Sequence, residues 1–264
     1  MRAAAIFVSV SLGVAAPLAG QVASGPGGKT EEPTPAEVPF GVGEKLSYRV
    51  KFGPLEVGEA EMAVVSIDSI DGHPTYHLRY FIKGGTFFYK LEDVQESWFD
   101  VFLLASRRFI QDLHEGGYVR YRVFDFDLEE GVYRQNNGET DSIPEQVLDD
   151  ASFVYFIRTV PLEVGETYEW DRYFRWDRNP VIVKVLRRET VKVPAGEFRT
   201  IVVRPIIKAG GIYGEGGESE IYLTDDERRM PVQLRAKFKL GSLTLELTEY
   251  ALGERLTPAM LGRR

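Results

Sequence analysis

The chain has 264 residues, with 32 Lys+Arg against 40 Asp+Glu, a formal charge of −8, and no cysteine. Stability must therefore come from packing and strand pairing without disulfides. An acidic surface repels phosphate backbones and anionic lipid surfaces, which argues against nucleic-acid binding and electrostatic membrane docking.

The N-terminus reads as a secretion signal. Met1-Arg2 supplies a short positive region, and residues 3–16 are apolar apart from Ser9, Ser11 and Gly13. Pro17-Leu18-Ala19-Gly20 then offers small residues suited to cleavage near Gly20 or Ala23. Residues 1–20 are assigned to the signal, whose apolar run is too short for a comfortable membrane span. No later segment approaches 18 uninterrupted apolar residues, so no transmembrane segment is expected after cleavage. Leu18-Ala19-Gly20 begins like a lipoprotein cleavage box, but Gln21 stands where the lipidated cysteine belongs. The expectation is an exported protein, periplasmic or extracellular, without a lipid anchor.

Residues 21–38 are Ser/Gly/Pro/Thr/Glu-rich and bury too little to offset their ordering entropy, so they read as a disordered tail. One β-rich domain is expected over 39–252, followed by a C-terminal tail over 253–264. A domain of roughly 215 residues buries on the order of 70% of its unfolded surface. Within it the dominant period is two. Leu46, Tyr48, Val50 and Phe52 alternate with polar residues, as do Val232, Leu234, Ala236, Phe238 and Leu240, and then Leu243, Leu245 and Leu247. Such alternation marks strands with one face on a core and one in water, as in antiparallel sheets. Asp71-Gly72 and Asn137-Gly138 supply the positive φ of tight hairpins. Pro194-Ala195-Gly196 and Gly241 separate later strands. The fold class expected is mainly β: an antiparallel curved sheet or half-barrel of about ten to twelve strands.

One helix interrupts the strands. Asp149-Asp150 is an N-cap signal, Phe153, Phe156, Ile157 and Val160 follow helical spacing, and Pro161 stops the run. The spacing predicts a short helix with one apolar stripe, packed on the sheet so as to plug or cover one end. Three Val-Gly-Glu triplets, at Val42, Val57 and Val164, read as similar strand-entry turns.

Four groups of strings occur in order. They are Gly43-Glu44-Lys45-Leu46-Ser47-Tyr48 with Gly58-Glu59-Ala60; Asp150-Ala151-Ser152 through Tyr155, Arg158-Thr159 and Pro161-Leu162; Val193-Pro194-Ala195-Gly196-Glu197-Phe198-Arg199-Thr200; and Leu223-Thr224-Asp225-Asp226-Glu227-Arg228-Arg229-Met230-Pro231-Val232. In this order the chain resembles the uncharacterised bacterial family called domain of unknown function 3108. The resemblance implies an exported, β-rich envelope protein with no assigned activity and no functional residues to carry over. A more distant analogy, of architecture alone, is to periplasmic lipoprotein carriers, whose curved half-barrel and helical lid hold acyl chains.

Motifs for chemistry are scarce. His73 and His77 are four apart along one strand, but no further ligands mark a metal site. Residues 125–131 superficially resemble a calcium loop, with the glycine one place late and Asn136 where the closing Glu belongs. The cluster Asp225-Asp226-Glu227 reads as a charged turn. The glycine-rich stretch 210–217 lacks a following helix and reads as a hairpin loop rather than a phosphate cradle. No G-x-S-x-G elbow is present. No metal, cofactor or catalytic residue is expected.

The aromatics are the remaining lead. Tyr168, Trp170, Phe174 and Trp176 share one face if their segment is a strand, with Arg172 among them; Phe87-Phe88-Tyr89 and Trp98 form a second group. Core packing accounts for such groups; so does an apolar cavity inside a curved sheet. A buried Arg172 needs a carboxylate or a ligand's anionic head. The candidate ligand-binding residues are therefore Trp170, Arg172, Phe174, Trp176 and, from the helix, Phe156. The leading reading is a non-catalytic binding module or carrier for a lipid or other apolar molecule. The alternatives are an interaction module with an envelope protein partner, working through a sheet edge or surface patch, and an envelope hydrolase with converging carboxylates. An outer-membrane barrel ranks below these, because many strands would turn charges toward lipid.

Overall fold

A computed structural model describes residues 37–86, 89–207, 218–238 and 241–257. The signal, nearly all of the tail, the glycine-rich stretch 210–217 and the end of the chain from 258 lie outside the described residues. The first eight strands are β1 (Lys45–Phe52), β2 (Leu55–Ile70), β3 (His73–Thr86), β4 (Tyr89–Asp100), β5 (Ser106–Glu115), β6 (Tyr118–Asp127), β7 (Val132–Gln135) and β8 (Thr140–Ser142). Helix α1 (Asp150–Ile157) follows, then β9 (Thr167–Trp170), a 3-10 turn Trp176–Arg178, β10 (Val181–Val193), β11 (Gly196–Ile206), β12 (Glu218–Thr224), β13 (Pro231–Phe238) and β14 (Gly241–Ala251).

All fourteen strands form one antiparallel sheet in the order β8-β7-β6-β5-β4-β3-β2-β1-β14-β13-β12-β11-β10-β9. The chain meanders outward from β1 to β8, returns through α1, and meanders back from β9 to β14, which pairs with β1. The two edges, β8 and β9, are thus neighbours in sequence. They do not pair. Between them the segments flanking the helix make a single parallel bridge, Leu148 to Tyr173. The strand count exceeds the ten to twelve expected, because β7, β8 and β9 have four residues or fewer and show no period.

Local chemistry explains the turns. Asp71 (φ 50°) and Gly72 (φ 84°) take the paired positive angles of a tight hairpin between β2 and β3. Val57-Gly58-Glu59 lies inside β2 and is not a turn. There Gly58 faces Gly84 of β3 so closely that a Cβ on Gly58 would stand 2.2 Å from the Lys83 carbonyl oxygen. The C-terminal pairing extends past residue 252: Val42 bridges Glu254, and Leu256 packs on the core.

The helix is the plug. Asp149 caps it, its carboxylate accepting from the N–H groups of Ala151 and Ser152, while the Ser152 hydroxyl accepts from the Asp149 N–H. The expectation of one apolar stripe is corrected: every residue from Ala151 to Ile157 is buried. Apart from Ser152 this stretch is apolar all round, so it suits an interior position wrapped by the sheet.

Candidate functional site

The helix is fixed at its C-terminal end by a fully buried ion pair. Arg158 donates to both carboxylate oxygens of Glu44 at 2.6 and 2.8 Å and to the Arg228 carbonyl at 3.0 Å. Its guanidinium also lies 5.2 Å from the Phe40 ring centre and 5.4 Å from that of Tyr155. Burial would lower the Arg158 pKa, but Glu44 outweighs it and the net direction is up. Three of the four groups of strings meet here, because Glu44, Arg158 and Arg228 each belong to one. In the last string, Asp226 accepts from the Thr224 hydroxyl and from the N–H groups of Arg228 and Arg229, so the acidic cluster is a turn clamp.

The expected aromatic face is corrected. β9 ends at Trp170, and the chain then leaves the sheet. Asn179 imitates a strand partner for Tyr173: its side chain accepts from the Tyr173 N–H and donates to the Tyr173 carbonyl, both at 2.9 Å. The alternation through 168–176 therefore looks like a strand without being one. Phe156, Trp170 and Arg172 do come together. Trp170 stands edge-on to Phe156 at 5.1 Å, and the Arg172 guanidinium lies 4.3 Å from the Phe156 ring centre. Arg172 is satisfied by the chain itself, donating to the carbonyls of Gln146 and Leu104. Desolvation lowers its pKa to about 10. Phe174 is sealed among Phe109, Phe124, Phe126, Tyr133 and Tyr173. Trp176 is 48% exposed and donates to the Ser142 hydroxyl of edge strand β8.

What the helix leaves uncovered is one end of the trough. The β1–β2 and β5–β6 turns and the adjoining ends of β3, β4, β13 and β14 fall at the same end of the sheet, as the alternation of an antiparallel meander requires. Toward that end the inward side chains pass from sealed to accessible. Leu78 is fully buried, whereas Tyr80 and Ile82 are partly exposed. Phe109 is followed by buried Gln111 and part-exposed Leu113, and buried Leu247 by part-exposed Leu245 and Leu243.

Polar groups gather on the same inner face. Cross-strand register places Tyr80, Gln95, Gln111 and Arg122 in one row, and Ile82, Asp93, Leu113 and Arg120 in the next. Asp150 reaches this face from the helix start. It accepts from Tyr173 Oη at 2.7 Å and from Gln111 Nε2 at 3.3 Å, and burial raises its pKa. Arg178 donates to Tyr173 Oη at 3.2 Å. Arg175 approaches Glu139 at 3.9 Å and lies 5.9 Å from the Phe124 ring centre, the same distance as Arg122. Two carboxyls are displaced to about 6 by desolvation, Asp93 and Asp149. Asp149 is consumed in capping the helix, and Asp93 accepts from the His114 N–H. They do not make the converging pair that a hydrolase needs.

Sequence reasoning passed over this cationic group, although one signal exists. Tyr118, Arg120, Arg122, Phe124 and Phe126 share one face of a strand, so two arginines continue an apolar stripe into the trough. On the outer face, a depression of about 300 Å³ is bounded by Arg49, Glu59, Glu61 and Phe81. Arg49 there is already paired with Glu246 at 2.6 Å, and Glu61 with Lys45 at 2.7 Å.

Fold and site together define a β-barrel-like half-barrel with a helix sealed inside it. The model of the family "Protein of unknown function (DUF3108)" matches residues 47–248, and the chain belongs to that family. No curated protein matches it. Among solved structures it is similar to a β-barrel-like protein of domain of unknown function DUF1849 from Brucella abortus. The identity is 10%, over 83% of this chain and all of that one, at a TM-score of 0.55, which is a likeness of fold. A "putative lipoprotein" from Parabacteroides distasonis (10% identity, 84% of this chain and 100% of that one) scores 0.35. A "putative exported protein with YmcC-like fold" from Bacteroides fragilis (11%, 81% and 98%) scores 0.30. Those two scores are too low to define a shared fold.

Proposed function

We propose that this chain is an exported envelope protein that binds an apolar or amphipathic molecule, without catalysis, on the inner face of its half-barrel. The observation that carries the reading is the burial gradient: inward apolar side chains sealed beside α1 become accessible at Ile82, Leu113, Leu243 and Leu245. Accessible inward-facing apolar surface is what an apolar ligand covers. Phe156 of the helix packs on Trp170 of β9 at the wall beside it. The N-terminal signal reading supports export, and among the described residues no helix is long and apolar enough to cross a membrane.

Native mass spectrometry with solvent extraction tests this, on protein exported through its own N-terminal segment and purified without detergent. An added mass that extracts as an apolar molecule is expected, and Leu245→Asp, a change at an already accessible position, should remove it. A clean unliganded mass from cells supplied with native envelope lipids would overturn the reading. An alternative, interaction with a partner protein, is favoured by exposed Phe52, Leu55, Tyr118, Val119 and Tyr121 around the β1–β2 and β5–β6 turns. Both edge strands are short, which disfavours pairing through a sheet edge.

A further inference from the structure

We infer that Arg122, with Arg175 and Arg178, forms a binding site for an oxyanion, the carboxylate or phosphate head of an amphipathic molecule whose tail lies along the inner face. The inference rests on the binding reading above and names the chemistry of the ligand's head.

Arg122 points into the trough from β6, and its Nε is buried without a hydrogen-bond partner. Among the described residues the Arg122 side chain makes no hydrogen bond or ion pair within 4 Å. A guanidinium does not shed its proton, so the half-buried Arg122 carries a charge that an anion would stabilise. Its neighbours sharpen the need. Arg120 stands on the same face two residues away, and the charges of Arg120 and Arg175 add to desolvation in lowering the Arg122 pKa. The carboxylates within reach, Asp150 and Glu139, attract Arg122 but take their hydrogen bonds from other groups. Asp150 is held by Tyr173 and Gln111, and Glu139 accepts from Tyr133 Oη at 2.6 Å. Arg178 donates to the Tyr173 hydroxyl, and Arg175 approaches Glu139 only at 3.9 Å. The three arginines of the site thus face two carboxylates, Asp150 and Glu139, in an otherwise acidic protein. Planar guanidinium groups match carboxylate and phosphate oxygens two at a time. Accessible Leu113 lies one row beyond Gln111, the cross-strand partner of Arg122, so head and tail sites adjoin.

Calorimetric titration of the exported chain with decyl phosphate, 1-decanol and inorganic phosphate tests this. Decyl phosphate should bind at least about tenfold more tightly than decanol, the yield of one charge-assisted contact. Arg122→Gln should erase that factor while leaving decanol affinity unchanged, with Arg175→Gln as a second variant at a more accessible position. Thermal melts should show both variants folded. Equal affinity for decanol and decyl phosphate would overturn the oxyanion site while leaving the apolar trough standing. Inorganic phosphate binding as tightly as decyl phosphate, and weakened by Arg122→Gln, would uphold the anion site as one for free phosphate and overturn the amphipathic ligand. Binding of none of the three would overturn both.

Discussion

Removing Glu44 should unfold the helix anchor. Both partners of the Glu44–Arg158 pair are fully buried, with side-chain exposure of 0% each. Truncation to Ala leaves a guanidinium with one carbonyl, that of Arg228, and two aromatic rings as its only company. Stranding one member of a buried pair costs about 3–5 kcal/mol. For a domain of this size that lowers Tm by roughly 6–20 °C. Urea unfolding followed by tryptophan fluorescence measures the loss, with Trp170 reporting beside the helix. Glu44→Gln should be intermediate, because the amide keeps one acceptor but not the charge. The double variant Glu44→Leu/Arg158→Met should recover most of the stability, since well-packed apolar replacements of a buried pair are often neutral or better. A Glu44→Ala loss below about 1 kcal/mol would refute the reasoning, as would a double variant no more stable than the single.

Two further outcomes follow from the site geometry. Phe174→Ala should cost about 3–5 kcal/mol in the same urea assay, because it empties a sealed aromatic cluster, whereas Trp176→Ala should stay within about 0.5 kcal/mol. Equal effects would restore the single strand face read from the sequence. Burial pushes the Asp93 carboxyl, 8% exposed, up to about 6, above the ordinary aspartate value of about 3.9. Between those values the folded state binds more protons than the unfolded one, so this group's contribution is full below about pH 4 and is lost as pH rises through 6, up to about 3 kcal/mol. Asp149 has the same sign. Asp93→Asn, which can still accept from the His114 N–H, should flatten part of that decline in melts from about pH 4 to 7; an unchanged slope would place the titration elsewhere.

The strands were legible wherever they were long enough to show a period. β1, β13 and β14 bury Leu46, Tyr48, Val232, Ala236 and Leu247, the positions that alternation marks. The helix start was equally legible, since Asp149 and Ser152 form the cap from local sequence alone. Its environment was not. A stripe at helical spacing says which side chains share a face, but the fourteen-strand wrap that buries the other faces is a long-range property. The segment after Trp170 failed for a different reason: Asn179 supplies by side chain the hydrogen bonds that a neighbouring strand would have supplied by backbone, and alternation cannot tell these apart.

The candidate site was less legible because its parts are remote in sequence. Arg122 on β6 shares the Phe124 ring with Arg175 and the Asp150 carboxylate with Arg178 only because the chain between β8 and β9 returns past the helix start, and nothing local to any of them encodes the meeting. The strings that carry the family resemblance behave differently. Glu44, Arg158 and Arg228 converge on one ion pair, Asp226 clamps a turn, and Asp150-Ala151-Ser152 opens the plug. Those residues specify how the helix is anchored inside the sheet. Arg122, Arg175 and Arg178 lie outside every one of those strings, on the part of the trough that the plug leaves uncovered. On the proposed binding reading the chain divides the work: one set of residues makes the half-barrel and anchors it at the helix C-terminus, and another sets what the open end would bind. A resemblance built on the first set identifies the fold, and the chemistry of the proposed ligand has to be read from the second.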